Sequence, residues 1–286
     1  MASAPHISRS LKTPLPFPPP RSRQNNPLVL WHLLSLDAPT VAALWTWFLA
    51  AANHVRLPLS VILAMAVAVW LLYAADRLLD AHDLEARHRF HHRHRTAFLA
   101  GIVLSSMTLA ALLPGLAPEA IHLYLIEGGF LVGYFILIHA TRSSHRLPKE
   151  LAVGLCFAAA TFIPTIARAP QLRLPLLAPA LLFAALCSLN CLFIYAWEHP
   201  KPTASTHPIT CLALRHLRST ATTVTLAALA LSLFDHRAPW PISVAIATAT
   251  ALLLLLDRLG RTLPATTLRA AADLALLTPI LFLLWR

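Results

Sequence analysis

Long uncharged segments dominate this chain. Residues 57–75 read LPLSVILAMAVAVWLLYAA and contain no charged side chain. A helix needs about 20 predominantly apolar residues to cross the hydrocarbon core of a bilayer. We therefore predict an all-α, polytopic membrane protein with nine transmembrane helices, at residues 28–51, 57–75, 96–115, 120–140, 150–167, 174–197, 219–235, 239–256 and 264–285.

The composition agrees with a membrane protein and sets the N-terminal residues apart. The chain is 57% hydrophobic and 12% charged, whereas soluble domains carry about 25% charged residues. Residues 1–27 are rich in Pro, Ser and Arg and have no apolar run long enough for a signal peptide. We expect a disordered cytoplasmic tail over 1–27 and a single nine-helix domain over 28–286.

The positive charges are unevenly distributed between the two sides of the predicted spans. With a cytoplasmic N-terminus, seventeen Lys and Arg residues fall on the cytoplasmic side and five on the other. This is the asymmetry of the positive-inside rule, so we expect that orientation and location in the inner (plasma) membrane. Because the net charge of +11 is concentrated between apolar segments, it indicates contact with anionic lipid head groups and not with nucleic acid.

Three aspartates follow the second predicted span. Asp76, Asp80 and Asp83 have the i, i+4, i+7 spacing of one helix face, and Tyr73 lies close to that face. Three carboxylates in a row repel one another unless a cation lies between them. Mg²⁺ prefers carboxylate oxygens and often shares them with substrate phosphates. The stripe predicts a divalent-metal site; the alternative is a solvated helix end paired with nearby Arg and His side chains.

The sixth predicted span ends in a similar way. Glu198 follows Tyr195 by three residues, as Asp76 follows Tyr73. Both pairs come at the predicted cytoplasmic end of an apolar span. We therefore expect two acidic helix ends to face one pocket that is open to the cytoplasm.

The chain has nine predicted spans, a DxxxD motif after the second and an acidic motif after the sixth. In these features it resembles, over residues 28–286, the UbiA superfamily of intramembrane prenyltransferases. Two positions depart from that family: Ala75 stands where an Asn is usual, and the second motif is reduced to Glu198. The resemblance implies Mg²⁺-dependent transfer of a polyprenyl group from its diphosphate to an aromatic or lipid acceptor in the membrane. It implies catalytic, metal-binding carboxylates at Asp76, Asp80, Asp83 and Glu198, and substrate contacts at Tyr73, Arg87, Arg93, Arg142, Arg146, Lys149 and Tyr195.

Two other functions are consistent with the sequence. One is a non-catalytic, lipid-binding membrane protein of the same fold, which the reduced second motif favours. The other is a metal transporter with a histidine-rich loop, because His88, His91, His92 and His94 lie within seven residues. Because the second motif keeps one acid, we also expect at least one of three further acids to face the pocket: Asp37, Asp257 and Asp273. Asp37 and Asp273 lie within predicted spans, where carboxylates are costly and often functional, and Asp257 lies at the end of the eighth.

Overall fold

The structure is a computed structural model that describes residues 27–79, 90, 93–141, 148–199, 207–260 and 263–283. Within these residues there are helices and their connections and no β-strand. The predicted tail lies outside the described residues apart from Pro27, which begins the first helix. The helices are α1 Pro27–Leu33, α2 Asp37–Ala52, α3 Leu59–Leu79, α4 Arg95–Leu112, α5 Pro118–Thr141, α6 Lys149–Arg168, α7 Leu177–Glu198, α8 Pro208–Arg215, α9 Leu217–Phe234, α10 Trp240–Leu259, α11 Ala265–Ala275 and α12 Ile280–Leu283.

Six of the described helices are long and apolar enough to cross a membrane, namely α3, α4, α6, α7, α9 and α10. They coincide with the second, third, fifth, sixth, seventh and eighth predicted spans. The described part of the chain is therefore all-helical and has the helices of an integral membrane protein. The count of nine spans and the cytoplasmic N-terminus stay predictions.

Helix α7 lies at the centre of the bundle. It packs against α6, α9, α10 and α11, and 61% of its most apolar stretch is buried within the protein, against 6% for α4. The side chain of Phe183 on α7 packs on Trp45 of α2, with ring centroids 4.3 Å apart, and on Phe162 of α6, at 6.0 Å. The helix that carries the second acidic motif is thus held by neighbours on several sides.

The first predicted span is interrupted. Helix α1 ends at Leu33 and α2 begins at Asp37, with Ser35 between them in the left-handed conformation at φ 60°. The N–H of Leu36 donates to the carbonyl of Trp31 (3.1 Å) and that of Ser35 to the carbonyl of His32 (3.1 Å). This pair of bonds is the Schellman ending of a helix, which usually has Gly at the left-handed position.

The ninth predicted span is interrupted as well. Helix α11 ends at Ala275, and turns over residues 276–279 precede α12. Pro279 has no N–H to continue the ladder of α-helical hydrogen bonds. The N–H of Ile280, which would reach the carbonyl of Leu276 in a continuous α-helix, donates to the carbonyl of Leu277 instead (3.0 Å). The carbonyl of Leu276 accepts a hydrogen bond from the indole Nε1 of Trp45, at 2.8 Å.

Side chains of neighbouring helices satisfy the backbone at the first interruption too. Trp70 Nε1 donates to the carbonyl of Leu34 (3.1 Å) and Arg77 Nη1 to the carbonyl of His32 (3.1 Å). Interrupted helices within a bilayer are tolerated where protein groups replace the lost hydrogen bonds. Both donors come from α3, so the interruption in the first span and the end of α3 form one unit.

Candidate functional site

A buried group of polar side chains surrounds the interruption between α1 and α2. We call it the polar cluster and define it as His32, Ser35, Asp37, Arg77, Asn190 and Asp273. These residues come from α1, the α1–α2 junction, α2, α3, α7 and α11. Several distant parts of the chain therefore converge on one polar site inside an otherwise apolar protein.

The histidine and first aspartate of the cluster are in direct contact. His32 Nδ1 lies 2.5 Å from Asp37 Oδ2, and both side chains are about 95% buried. The other carboxylate oxygen, Oδ1, accepts a hydrogen bond from the N–H of Ala38 at 2.9 Å. The imidazole is thus fixed in orientation by a carboxylate that is itself held by the start of α2.

Arg77 brings α3 into the cluster. Its Nη2 atom lies 3.7 Å from Asp37 Oδ2, and Nη1 donates to the Ser35 hydroxyl and to the carbonyl of His32. The guanidinium carbon lies 5.8 Å from the ring centroid of Tyr73, one turn earlier in the same helix. A cation over an aromatic face is attracted by the ring, so Tyr73 supports the position of Arg77.

Asp273 and Asn190 join α11 and α7 to the same cluster. Asp273 Oδ2 lies 3.9 Å from His32 Nδ1, and Asn190 Nδ2 donates to Asp273 Oδ1 at 3.1 Å. One turn before Asp273, Arg269 Nη1 makes an ion pair with Glu198 Oε1 at 2.9 Å. The end of α7, with the second acidic motif, is therefore connected to the cluster through α11.

The two helices that end in acidic motifs meet at this site. Arg77, directly after Asp76, reaches the cluster from the end of α3, and Asn190 reaches it from α7. Asp76 itself is exposed. The structure thus brings the last turns of α3 and the second half of α7 toward one set of buried residues, while Asp76 lies on the outer side of its helix.

The other predicted site residues fall into two groups. Tyr195 and Glu198 are half-buried, and the Tyr195 ring stacks on His199 with centroids 4.6 Å apart. Arg93 and Lys149 are exposed, near the starts of α4 and α6. The remaining predicted residues lie outside the described part of the chain: Asp80, Asp83, Arg87, Arg142 and Arg146.

The three additional acids lie in two places. Asp37 and Asp273 are members of the polar cluster. Asp257, at the end of α10, accepts hydrogen bonds from Trp197 Nε1 (3.0 Å) and from Arg218 Nε (2.7 Å). Trp197 directly precedes Glu198, so Asp257 lies beside the second acidic motif. Asp37 lies close to Arg77 of α3 and Asp273 contacts Asn190 of α7, so each of the three acids is near a helix that carries an acidic motif.

Sequence patterns alone did not identify His32, Ser35 and Arg77 as site residues. Arg77 resembles an ordinary positive charge at the cytoplasmic end of a span, yet it is 3% exposed. His32 lies within the first predicted span and is 4% exposed. The rule that singled out Asp37 and Asp273, that ionisable side chains inside spans are costly, would also have found His32.

The chain matches no protein-family model, no curated protein and no solved structure.

Proposed function

We propose that the protein is an intramembrane prenyltransferase of the UbiA-like kind. It moves a polyprenyl group from its diphosphate to an aromatic or lipid acceptor in the membrane, with Mg²⁺. The observation that carries this proposal is that α3 and α7, the helices that end in the two acidic motifs, share one buried polar cluster. The sequence resemblance supplies the reaction, and the shared cluster supports it.

The distribution of polarity suits a donor with a charged head and an apolar tail. The apolar helices that end in the two motifs have exposed aliphatic side chains along their length, such as Leu63 and Leu72 on α3 and Leu181 on α7. Their charged residues lie toward one end. A prenyl chain would lie among the apolar helices, and its diphosphate would lie at the charged ends.

Each predicted residue has a role in this proposal. Asp76, Asp80, Asp83 and Glu198 would hold Mg²⁺, which would supply positive charge to neutralise the departing diphosphate. Tyr73 and Tyr195 orient the head group. The cationic contacts to the diphosphate oxygens are Arg87, Arg93, Arg142, Arg146 and Lys149. The bond between the prenyl C1 carbon and the diphosphate oxygen breaks, the electron pair leaves with the diphosphate, and the acceptor forms the new bond and loses a proton.

The described carboxylates fit Mg²⁺ unequally. Asp76 is exposed and open to an ion from solvent, and its oxygens are the hard ligands that Mg²⁺ prefers. Glu198 is already paired with Arg269 and must leave that pair to bind a metal. The first motif therefore supplies the main part of the metal site in this proposal.

The Glu198–Arg269 ion pair favours a second candidate function. If that pair persists with ligand bound, the second motif has no free carboxylate, and the protein binds a prenyl lipid without transferring its chain. Turnover separates the two candidates, because only the transferase releases inorganic diphosphate.

The test is Mg²⁺-dependent binding of a non-hydrolysable prenyl diphosphate analogue to the full-length protein in detergent. We expect Asp76→Asn and Asp80→Asn to weaken binding about 10-fold or more, because even the loss of an outer-shell partner of a metal ligand costs about 10–100-fold in metal affinity. Asp235→Asn, between α9 and α10, is the matched control and should bind as the wild type does. Binding that ignores Mg²⁺ and both substitutions would refute the proposal.

A further inference from the structure

We propose that the polar cluster contains a buried binding site for a divalent transition-metal ion, with His32, Asp37, Asp273 and Asn190 as its ligands. This site is separate from the Asp76–Asp80–Asp83 stripe. It does not depend on prenyl transfer, and it stands whether or not the chain binds a prenyl diphosphate.

The candidate ligand atoms are already close together. One atom each from His32, Asp37 and Asp273 lies within 4.8 Å of the other two. In a tetrahedral site with bonds of about 2.0–2.1 Å, ligand atoms are about 3.3 Å apart. The 2.5 Å gap from His32 to Asp37 would have to open by about 0.8 Å, and the 3.9 Å gap from His32 to Asp273 would have to close by about 0.6 Å. Both changes are smaller than about 1 Å.

Asn190 provides the independent sign that the site accommodates a ligand. The residue is 92% buried, and its Nδ2 atom donates a hydrogen bond to Asp273. The Oδ1 atom of the same carboxamide is buried and has no hydrogen-bond partner among the described residues. A buried carbonyl oxygen without a partner is costly, because it has lost its hydrogen bonds to water and gained none in the protein. A cation bound beside Asp273 would give this oxygen a partner.

The charges around the cluster favour a cation. The cluster and its immediate neighbours contain three carboxylates, from Asp37, Asp273 and Glu198, and two guanidinium groups, from Arg77 and Arg269. With His32 neutral and all three carboxylates ionised, the group has an excess of one negative charge. A divalent ion would change this sum to one positive charge.

The donor atoms select the class of metal. Imidazole nitrogen suits Zn²⁺, Fe²⁺ and related transition metals, whereas carboxylate, carbonyl and water sites suit Mg²⁺, Ca²⁺ and Mn²⁺. One imidazole with two carboxylates and an amide oxygen lies between these classes, so we expect Zn²⁺, Fe²⁺ and Mn²⁺ to bind in preference to Mg²⁺. Arg77 lies 3.7 Å from Asp37 and fixes that ligand from outside the site.

The experiment is a Mn²⁺ titration of the full-length protein in detergent, followed by electron paramagnetic resonance, with excess Mg²⁺ present to occupy the aspartate stripe. Mn²⁺ is the probe because Zn²⁺ would also bind the histidine-rich residues 82–94. Spin-echo spectra of the bound ion report whether a nitrogen is a ligand. The variants are His32→Gln and Asp273→Asn. Asp257→Asn is the matched control, because the side chains of Asp257 and Asp273 are 13% and 16% exposed.

We expect one Mg²⁺-resistant Mn²⁺ per protein, with nitrogen coupling in the wild type. His32→Gln should remove the coupling, and Asp273→Asn should weaken binding about 10-fold or more. Asp257→Asn should leave both unchanged. A wild type without a stoichiometric Mg²⁺-resistant ion, or with an ion that lacks nitrogen coupling, would overturn the proposal even if a variant failed to fold. So would coupling that persisted in His32→Gln. Binding of the prenyl diphosphate analogue is measured in a separate experiment. A failure of the proposed function can therefore be distinguished from a failure of the metal site.

Discussion

At the scale of single residues, the backbone conformation of Ser35 favours glycine, whereas its hydrogen bond with Arg77 requires a side chain. It is a buried non-glycine residue at φ 60°, a conformation that costs about 1–2 kcal/mol because Cβ crowds the following carbonyl oxygen. Its hydroxyl is also the acceptor for Arg77. Glycine would fit the backbone better, but it would leave this buried guanidinium without one of its partners.

Two substitutions of Ser35 separate these effects. Ser35→Ala removes the hydroxyl and keeps the strain, so we expect a loss of about 1–3 kcal/mol of stability. Ser35→Gly removes both and should be about 1 kcal/mol more stable than the Ala variant. The measurement is the midpoint of unfolding in a detergent titration. An Ala variant as stable as the Gly variant would contradict a left-handed Ser35.

The residues of the site were predictable in part. Asp37 and Asp273 are noticeable in the sequence because a carboxylate inside an apolar segment is costly unless it is paired. Arg77 is not noticeable in the sequence, because a cation directly after a span is the ordinary topological signal. Only the folded chain shows that the side chain of Arg77 is buried in the polar cluster. Ser35 carries no signal, because its role depends on a backbone angle.

At the scale of helices, the positions of α3, α4, α6, α7, α9 and α10 were predictable, since their length and hydropathy are local properties. Both interruptions have a proline nearby. Pro279 marks the ninth segment as one that breaks, because proline lacks the N–H that a helix needs. Pro39, in the first turn of α2, could not donate to the carbonyl of Ser35 in an uninterrupted helix, so the sequence also marks the first segment. What the sequence does not show is the left-handed Ser35, because residues 33–36 contain neither Gly nor Pro, and the contacts from Trp70 and Arg77, which are distant in sequence.

The close contact between α6 and α7 gives a prediction about helix packing. A Cβ atom on Gly154 would lie 2.6 Å from the backbone nitrogen and 2.9 Å from the Cα atom of Ser188. Because backbone atoms cannot rotate away, Gly154→Ala must push the two helices apart. We expect a loss of about 1–3 kcal/mol of stability, the usual cost of overpacking.

Gly133, on α5, is the matched control for that substitution. A Cβ atom there meets nothing within 4 Å, and alanine stabilises a helix by roughly 0.5–1 kcal/mol relative to glycine. Gly133→Ala should therefore be neutral or stabilising in the same detergent titration. Equal effects of the two substitutions would mean that α6 and α7 are not in such close contact.

At the scale of the whole molecule, the helices differ greatly in how much they contact one another. Helix α4 packs on α3, and its side chains Val103, Leu104 and Met107 are more than 60% exposed. Apolar exposure of this kind would be unfavourable in water, whereas in a bilayer these side chains meet lipid tails. The exposed surface of α4 therefore agrees with the composition in indicating a membrane as its surroundings.

The orientation of the molecule is the remaining large-scale prediction. Gln171 lies between α6 and α7, and Ser219 lies in the first turn of α9; both are exposed. The distribution of Lys and Arg predicts that Gln171 lies on the outer side of the membrane and Ser219 on the cytoplasmic side. In a variant whose four native cysteines are replaced, Gln171→Cys should react with a membrane-impermeant thiol reagent in intact cells. Ser219→Cys should react only after the cells are permeabilised. The reverse pattern would place the acidic ends of α3 and α7 outside, where a donor made in the cytoplasm could not reach them.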